Sequence, residues 1–428
     1  MEENLKSNNK DGGIPIPKYF RDQWEEKRLN GETSSVNKEI CNEKEASIDH
    51  EKSYTSSPFP PLQPLFSSWD NADTNTFDDA SIESLYRKVL IKEARQFIEE
   101  NTFNDALLEI SKEIIGQEGL ELVLAGVFGY ISGIAKNGMP PKVNMLLTAP
   151  SGTGKTETFR VLKSYFQKNL PNLVISQVDV THITSEGFKG KDTDAIVIDL
   201  IKKNTGGYGI VFMDEFDKRI SPQFTSEGGD VGQDVQNQIL TLIEGNVETY
   251  TNKAIKKTAT IDSNLTMFIG CGSFNLVREK KKKEANKILG FLSQKNNYDI
   301  YDHITREDIL DAGCSYEMLG RFPLIINYHK LELRTIERII EKLKHSIMRN
   351  LGFTDLIIDD SYMQDMINMA NGDFGCRMLY SSMFQASMNA YKEVLKKGIS
   401  HPVSVKLGND YFEVYEDIQC MYEKEYEA

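Results

Sequence analysis

The chain has 428 residues, and its 50 Lys and Arg against 64 Asp and Glu leave a formal net charge of -14. That length accommodates two folded domains and a tail, and the acidic balance argues against a general nucleic-acid binder, whose contact face is usually basic. No stretch reads as a membrane span, the polar opening Met1-Glu2-Glu3-Asn4 is unlike a signal peptide, and the five scattered cysteines (Cys41, Cys271, Cys314, Cys376, Cys420) read as free thiols of a reducing cytosol with no zinc site.

Residues 1–75 are rich in Ser, Asn, Glu, Lys and Pro, too poor in apolar side chains to offset ordering entropy, and read as a disordered polar tail. Within it, Pro58-Phe59-Pro60-Pro61-Leu62-Gln63-Pro64-Leu65-Phe66 is either a plain linker or a pre-extended docking motif. From Asp79 the period turns helical, with Ile82, Leu85, Val89, Ala94, Phe97 and Ile98 on one face. Strands are expected at Val143 to Leu147, Leu173 to Ile175, Ile210 to Met213, Met267 to Ile269 and Leu324 to Ile326, alternating with helices. That alternation implies an α/β fold with a parallel sheet flanked by helices, placed over residues 76–327. A smaller, mainly helical C-terminal domain is expected over 328–428. One of its helices carries Leu379, Met383, Ala386, Ala390 and Val394 on one face, and the run Val403 to Leu407 after Pro402 adds a strand.

The segment Ala149-Pro150-Ser151-Gly152-Thr153-Gly154-Lys155-Thr156 follows the first of these strands and leads into a helix, the context a phosphate-binding loop requires. Gly152 and Gly154 permit backbone angles that side chains block, and loop N–H groups with the helix N-terminus face the phosphates. Lys155 would reach the β/γ-phosphates of ATP, and the Thr156 hydroxyl would ligate Mg²⁺. Some sixty residues on, Ile210-Val211-Phe212-Met213-Asp214-Glu215 carries two carboxylates to the C-terminal end of a strand, where open α/β sheets bind ligands. Asp214 would hold the Mg²⁺ shell and Glu215 would polarise the attacking water.

Around these segments the chain resembles the Clp/HslU type of AAA+ ATPase, the ClpX unfoldases in particular, over about residues 110 to 410. Ile114-Ile115-Gly116-Gln117-Glu118 is similar to that family's adenine-contacting turn, which places Ile115 against the base. Asp234-Val235-Gln236 and Leu242-Ile243-Glu244-Gly245 resemble the helix after the acidic pair. Tyr316 to Pro323 resembles the segment bearing the arginine finger, here Arg321, and Gly375-Cys376-Arg377-Met378-Leu379 the second sensor, here Arg377. A finger acts on the neighbouring subunit's γ-phosphate, so the resemblance implies a homo-oligomeric ring, a hexamer in this family. Ser273 is the candidate first sensor, with Asn275 as its rival.

Two further loops separate subclasses of such ATPases. Gly187-Phe188-Lys189-Gly190 resembles the aromatic pore loop with which Clp unfoldases grip protein substrates, apolar contact making the grip indifferent to sequence; the alternative is a plain surface turn. Leu289-Gly290-Phe291 resembles the tripeptide by which ClpX docks on the peptidase ClpP, a small apolar anchor on a polar loop; the alternative is a buried turn. The family's N-terminal zinc-binding domain has no counterpart here, and Thr251 to Lys257 lacks the Arg-Lys-His signature used to read degradation tags. The resemblance implies a cytoplasmic ATP-dependent unfoldase feeding a ClpP-like peptidase. A peptidase-independent remodelling ATPase, a nucleic-acid motor or loader, and a nucleotide-gated scaffold are the rival readings.

Overall fold

A computed structural model describes residues 79–183, 193–221, 231–252, 255–288, 303–372, 375–399 and 403–415. The tail over 1–75, the Gly187–Gly190 loop and the Leu289–Phe291 tripeptide lie outside the described residues. Helices α1 (Asp79–Glu100), α2 (Phe103–Ser111) and α3 (Gly119–Asn137) open the described chain. Then come β1 (Met145–Thr148), α4 (Lys155–Asn169), β2 (Ile175–Asp179), α5 (Ile198–Lys203), β3 (Gly209–Asp214), α6 (Asp217–Ile220) and α7 (Val231–Glu244). The hairpin β4 (Val247–Asn252) and β5 (Lys257–Asp262) precedes β6 (Thr266–Gly272), which is followed by α8 (Asn275–Ile288), α9 (Arg306–Asp311), α10 (Tyr316–Gly320) and β7 (Leu324–Asn327). The remainder is α11 (Leu333–Leu351), β8 (Asp355–Ile358), α12 (Asp360–Asn371), α13 (Arg377–Lys396), β9 (Ser404–Leu407) and β10 (Phe412–Tyr415).

The main sheet has the order β2-β3-β6-β1-β7 and is parallel throughout. Its central strands are buried along almost their whole length, as a parallel sheet covered on both faces requires. Successive side chains point to opposite faces. Met145, Leu147, Ile210, Phe212, Met267 and Ile269 enter the core built with α1 to α4, whereas Leu146, Val211, Met213 and Phe268 enter the core on the other side. Register places Thr148 beside Gly272 and Asn327, and Asp214 beside Asp179. One sheet edge therefore gathers the residues that follow β1, β3 and β6.

The strands fall on the expected apolar runs, except that β1 begins at Met145, two residues after Val143, and β2 begins at Ile175 with Leu173 a buried approach to it. The α1 stripe is turned from the expected one: Tyr86, Leu90, Ala94 and Phe97 are buried, and Leu85 is 45% exposed. Glu93 sits in that stripe, its carboxylate accepting from Asn172 Nδ2 at 2.5 Å, and this paired acid obscures the period. Contrary to the expectation from sequence, α3 is long and apolar enough to cross a membrane by length and composition. Its apolar surface is instead buried in the first core, from Leu120 to Ala135, the position a helix apolar on most sides takes in a large core. It ends at Gly138 in the left-handed conformation, whose N–H bonds Ile134 O.

A separate core runs from Ile336 to Leu407. It is less purely helical than expected, because β9 joins β8 in parallel and β10 in antiparallel pairing. The expected face of α13 is there, with Ser387 completing the buried stripe of Leu379, Met383, Ala390 and Val394. β8 and β10 were not anticipated; β8, Asp355-Leu356-Ile357-Ile358, has three apolar residues in a row and so shows no alternation. The β4–β5 hairpin, also unread from sequence, is half exposed and alternates accordingly.

Candidate active site

The loop from Ala149 to Gly154 turns between the buried end of β1 and the first residue of α4. Gly152 and Gly154 take φ of 74° and 110°, angles at which any Cβ is strained. Thr153 Oγ1 donates to Pro150 O at 2.8 Å, and Lys155 Nζ to Ala149 O at 2.7 Å. Burial pulls the Lys155 ammonium below its ordinary pKa, with the Cys271 thiol and the Asp217, Asp214 and Glu215 carboxylates acting in the opposite sense. The cation is thus held at the mouth of an amide-lined turn.

The acidic pair sits at the same edge. Asp214 Oδ2 accepts from Gln177 Nε2 at 2.6 Å and its Oδ1 from Glu215 N at 3.0 Å, so the carboxylate is fixed by β2 and by its own neighbour. Glu215 has φ of 55°, a left-handed conformation that costs a non-glycine residue on the order of 1 kcal/mol and clusters at functional sites. Burial raises its pKa, the neighbouring Asp217 and Asp214 carboxylates raise it further, and Lys155 and Lys218 oppose them. Such a carboxylate is a better proton acceptor than an exposed glutamate.

Ser273 and the buried Asp217 form a latch. Asp217 Oδ2 accepts from Ser273 Oγ at 3.2 Å and from Phe274 N at 2.9 Å, while its Oδ1 has no hydrogen-bond partner among the described residues. Ser273 is therefore spent on the acidic turn, whereas Asn275, its rival, lines the space around Pro150 to Thr153. The backbone of Ser273 accepts from the buried Arg278, whose Nη2 also reaches Thr148 Oγ1 at 3.3 Å.

A cleft of about 850 Å³ runs from the loop toward the C-terminal core. Gly152 to Thr156 line one end, and Ile115, Leu331, Ile339, Leu343, Arg377 and Tyr380 are among the residues at the other. The turn bearing Ile115 is clasped by Gln117, whose Nε2 donates to Thr153 O and His329 O and whose Oε1 accepts from His329 N. Arg377 opens α13 after Gly375, which has φ of 55° and lies so close to the loop that a Cβ there would stand 2.5 Å from Ser151 O. An apolar slot, a cationic rim and a nest of amides in one cleft fit a nucleotide.

Arg321 is not in this cleft. It caps the end of α10, three residues before β7, and its backbone carbonyl accepts from Asn144 Nδ2 at 3.2 Å. It therefore lies at the N-terminal edge of the parallel sheet, about four residues of strand (about 13 Å) from the loop's edge. Its Nη2 pairs with Glu244 Oε1 at 2.6 Å. The structure thus gathers Ile115, Ala149 to Thr156, Asp214, Glu215, Ser273 and Arg377 on one side and leaves Arg321 on another.

Gln177, Asp217 and Tyr380 are the site's neighbours that motif reading passed over, and Gln117 was read only as part of the turn that carries Ile115. Gln177 gave little signal, since it sits in the half-buried edge strand β2 beside another polar residue, Ser176, whereas Asp217 is the third acid of Asp214-Glu215-Phe216-Asp217. Tyr380 gave no signal, since it is one turn along a helix from Arg377 and only folding brings it to the cleft.

The pattern of the AAA domain (Cdc48 subfamily) matches residues 140–325. Similar curated proteins are named ATP-dependent Clp protease ATP-binding subunit ClpX. That of Treponema denticola is 27% identical over 330 residues, 67% of this chain and 78% of that protein. That of Borrelia duttonii is 29% identical over 264 residues, 56% of this chain and 60% of that protein. ClpX 2 of Wolinella succinogenes is 29% identical over 219 residues, 48% and 53% of the two chains. The matches to the last two span little more than half of those proteins.

Proposed function

Since the chain is a ClpX-like AAA+ ATPase, we propose that it forms a ring, hexameric as the resemblance implies, that uses ATP hydrolysis to unfold and thread protein substrates. The observation that carries the ring is the placement of Arg321 at the sheet edge opposite its own loop. A guanidinium there cannot serve the subunit that bears it and is presented outward, where a neighbour's nucleotide would meet it. Residues 76–327 and 328–428 would move as a large and a small domain about the cleft, with Arg377 reporting nucleotide to the small one. The setting proposed is cytoplasmic.

In the catalytic cycle, Lys155 and the first-turn amides of α4 would hold the phosphates, and Thr156 with Asp214 would hold Mg²⁺. Glu215 would orient the attacking water and accept its proton, its basicity raised by burial and by Asp217. Gln177 keeps Asp214 in place, and the Asp217–Ser273 contact keeps the Glu215 turn in place. Bound ATP supplies the phosphoanhydride bond whose cleavage drives the cycle, and Mg²⁺ would neutralise charge on its phosphates. Phe188, flanked by Gly187, Lys189 and Gly190, would grip the polypeptide, and Leu289-Gly290-Phe291 would dock a ClpP-like peptidase.

The test is ATP-dependent loss of fluorescence from a stable fluorescent protein fused to an unstructured tag, followed with and without a ClpP-like peptidase. Phe188→Ala should keep ATP turnover and lose unfolding, and unchanged unfolding would remove the threading role. Deleting Leu289 to Phe291 should abolish co-purification with the peptidase. If the intact chain never binds such a peptidase, remodelling without proteolysis is the function.

A further inference from the structure

One buried amide joins three segments that the ATP-hydrolysis reading treats separately. Gln236 lies on α7 and is 2% exposed. Its Nε2 donates to Ile220 O at 3.1 Å and to Gly313 O at 3.1 Å, and its Oε1 accepts from Ser315 N at 3.2 Å. Every polar position of the side chain that these partners can use is thereby committed to backbone, in a place with little access to water.

The partners are informative. Ile220 ends α6, a helix that starts at Asp217, two residues after Glu215. Asp217 in turn is tied to Ser273 and Phe274 at the end of β6. Ser315 is the N-cap of α10, and the C-cap of that five-residue helix is Arg321. Gln236 thus spans from the acidic turn of the nucleotide site to the base of the helix that carries Arg321. The same helix, α7, ends at Glu244, which holds the Arg321 guanidinium at 2.6 Å. The neighbouring Lys142 Nζ bonds Glu244 O at 2.5 Å, and Gly245, at φ of 104°, leaves room for that lysine. Helix α7 therefore touches the Arg321 segment through Gln236, in its second turn, and through Glu244, its last residue, and reaches the end of α6 through the same Gln236.

This arrangement has a mechanical consequence. A shift of α6 as the nucleotide site changes occupancy must either carry Gly313 to Ser315 with it or break the hydrogen bonds of a buried amide, one of them buried and two part-buried, and breaking them leaves the 2% exposed Gln236 side chain short of partners. The first outcome is favoured, and coupling between two sites requires such a shared element whose position both of them bias. We propose that Gln236 is a positioning residue that couples the state of a subunit's own nucleotide site to the placement of the Arg321 it lends to its neighbour. This rests on the ring reading above.

The experiment mixes active subunits with increasing fractions of Glu215→Gln subunits and follows ATP turnover, with ADP affinity measured by calorimetry and assembly mass by sedimentation. With wild-type active subunits, turnover should depart from proportionality to the active fraction. When all subunits carry Gln236→Met, it should become proportional and the Hill coefficient for ATP should fall to about 1, with ADP affinity and assembly mass kept. Ser315→Pro is a second route, because Ser315 already has φ of -69°, which proline adopts while losing the N–H donor. Ser315→Ala keeps that N–H, controls for the lost helix cap, and should behave as wild type. A non-proportional response that persists in Ser315→Pro, and in Gln236→Met if it folds, overturns the inference alone. A proportional response in the wild type with assembly mass kept overturns the inference alone, whereas an assembly mass of a single subunit overturns the ring reading and this inference with it.

Discussion

Arg321 Nη2 lies 2.6 Å from Glu244 Oε1, while the Lys155 ammonium rests on Ala149 O at the other edge of the same sheet. The two cations that a phosphoryl-transfer site would use are thus separated within one subunit by the length of β1. The Glu244 partner is half exposed, so the pair contributes roughly 0–1 kcal/mol to stability. Arg321→Ala should therefore melt within about 2 °C of the wild type, yet lose about 10³-fold in ATP turnover with ADP affinity kept. Equal turnover in the variant would show that Arg321 is an ordinary surface arginine.

Glu215 should set the acid limb of the turnover profile. Burial and the Asp217 and Asp214 carboxylates raise its pKa, so activity should rise with pH through a midpoint above that of an ordinary glutamate, about 4.3. Glu215→Gln should bind ATP and lose turnover by at least about 10². Asp217→Asn removes the larger carboxylate contribution and should move the midpoint to lower pH in the variant that still folds. A midpoint that stays put in that variant would mean the limb belongs to another group.

Gly375→Ala probes the contact between the loop and the second-sensor turn. The added methyl meets Ser151 O at 2.5 Å and the residue is held at φ of 55°, which together should cost about 1–3 kcal/mol. Because the strain falls on the loop itself, ADP affinity should drop as well. Weakened stability with unchanged affinity would detach Gly375 from the site.

Asp308 has a pKa shift of the opposite sign, read in stability. Burial alone would raise its carboxyl, but hydrogen bonds from Lys281 and Thr305 outweigh that and hold it below the usual carboxylate range. A carboxyl with a lowered folded pKa stabilises at pH above its unfolded value, and the gain is lost as pH falls through the folded value. Asp308→Asn, which keeps an acceptor for Thr305 but removes the charge that Lys281 Nζ pairs with at 2.6 Å, should cost about 1 kcal/mol at pH 7. The gap between the two melting curves should close as pH falls below the ordinary carboxylate range; a gap that widens there would refute the assignment.

The large domain was legible because its chemistry is local in sequence. Leu146 to Thr156 is a strand, a turn and a helix start in one run, and Ile210 to Glu215 is a buried strand ending on two acids, so periodicity and residue type suffice. What escaped depends on tertiary contact. The Glu93–Asn172 pair lets an acid sit in the buried face of α1, the three consecutive apolar residues of β8 show no alternation, and the apolar length of α3 is explained only by the helices and sheet that bury it. Gln236 was visible as part of a familiar helix, but its three partners are 16, 77 and 79 residues away along the chain. No spacing rule could have named them.

The central claim, that each nucleotide site is completed by a neighbouring subunit, is tested most directly by mixing two inactive variants. Arg321→Ala subunits keep Lys155, Asp214 and Glu215, and Glu215→Gln subunits keep Arg321. Mixed rings should regain ATP turnover well above either variant alone, peaking near equal fractions, because sites with an intact Glu215 then face an intact Arg321. Mixtures that never exceed the sum of the two separate activities would contradict the claim and place Arg321 outside the reaction.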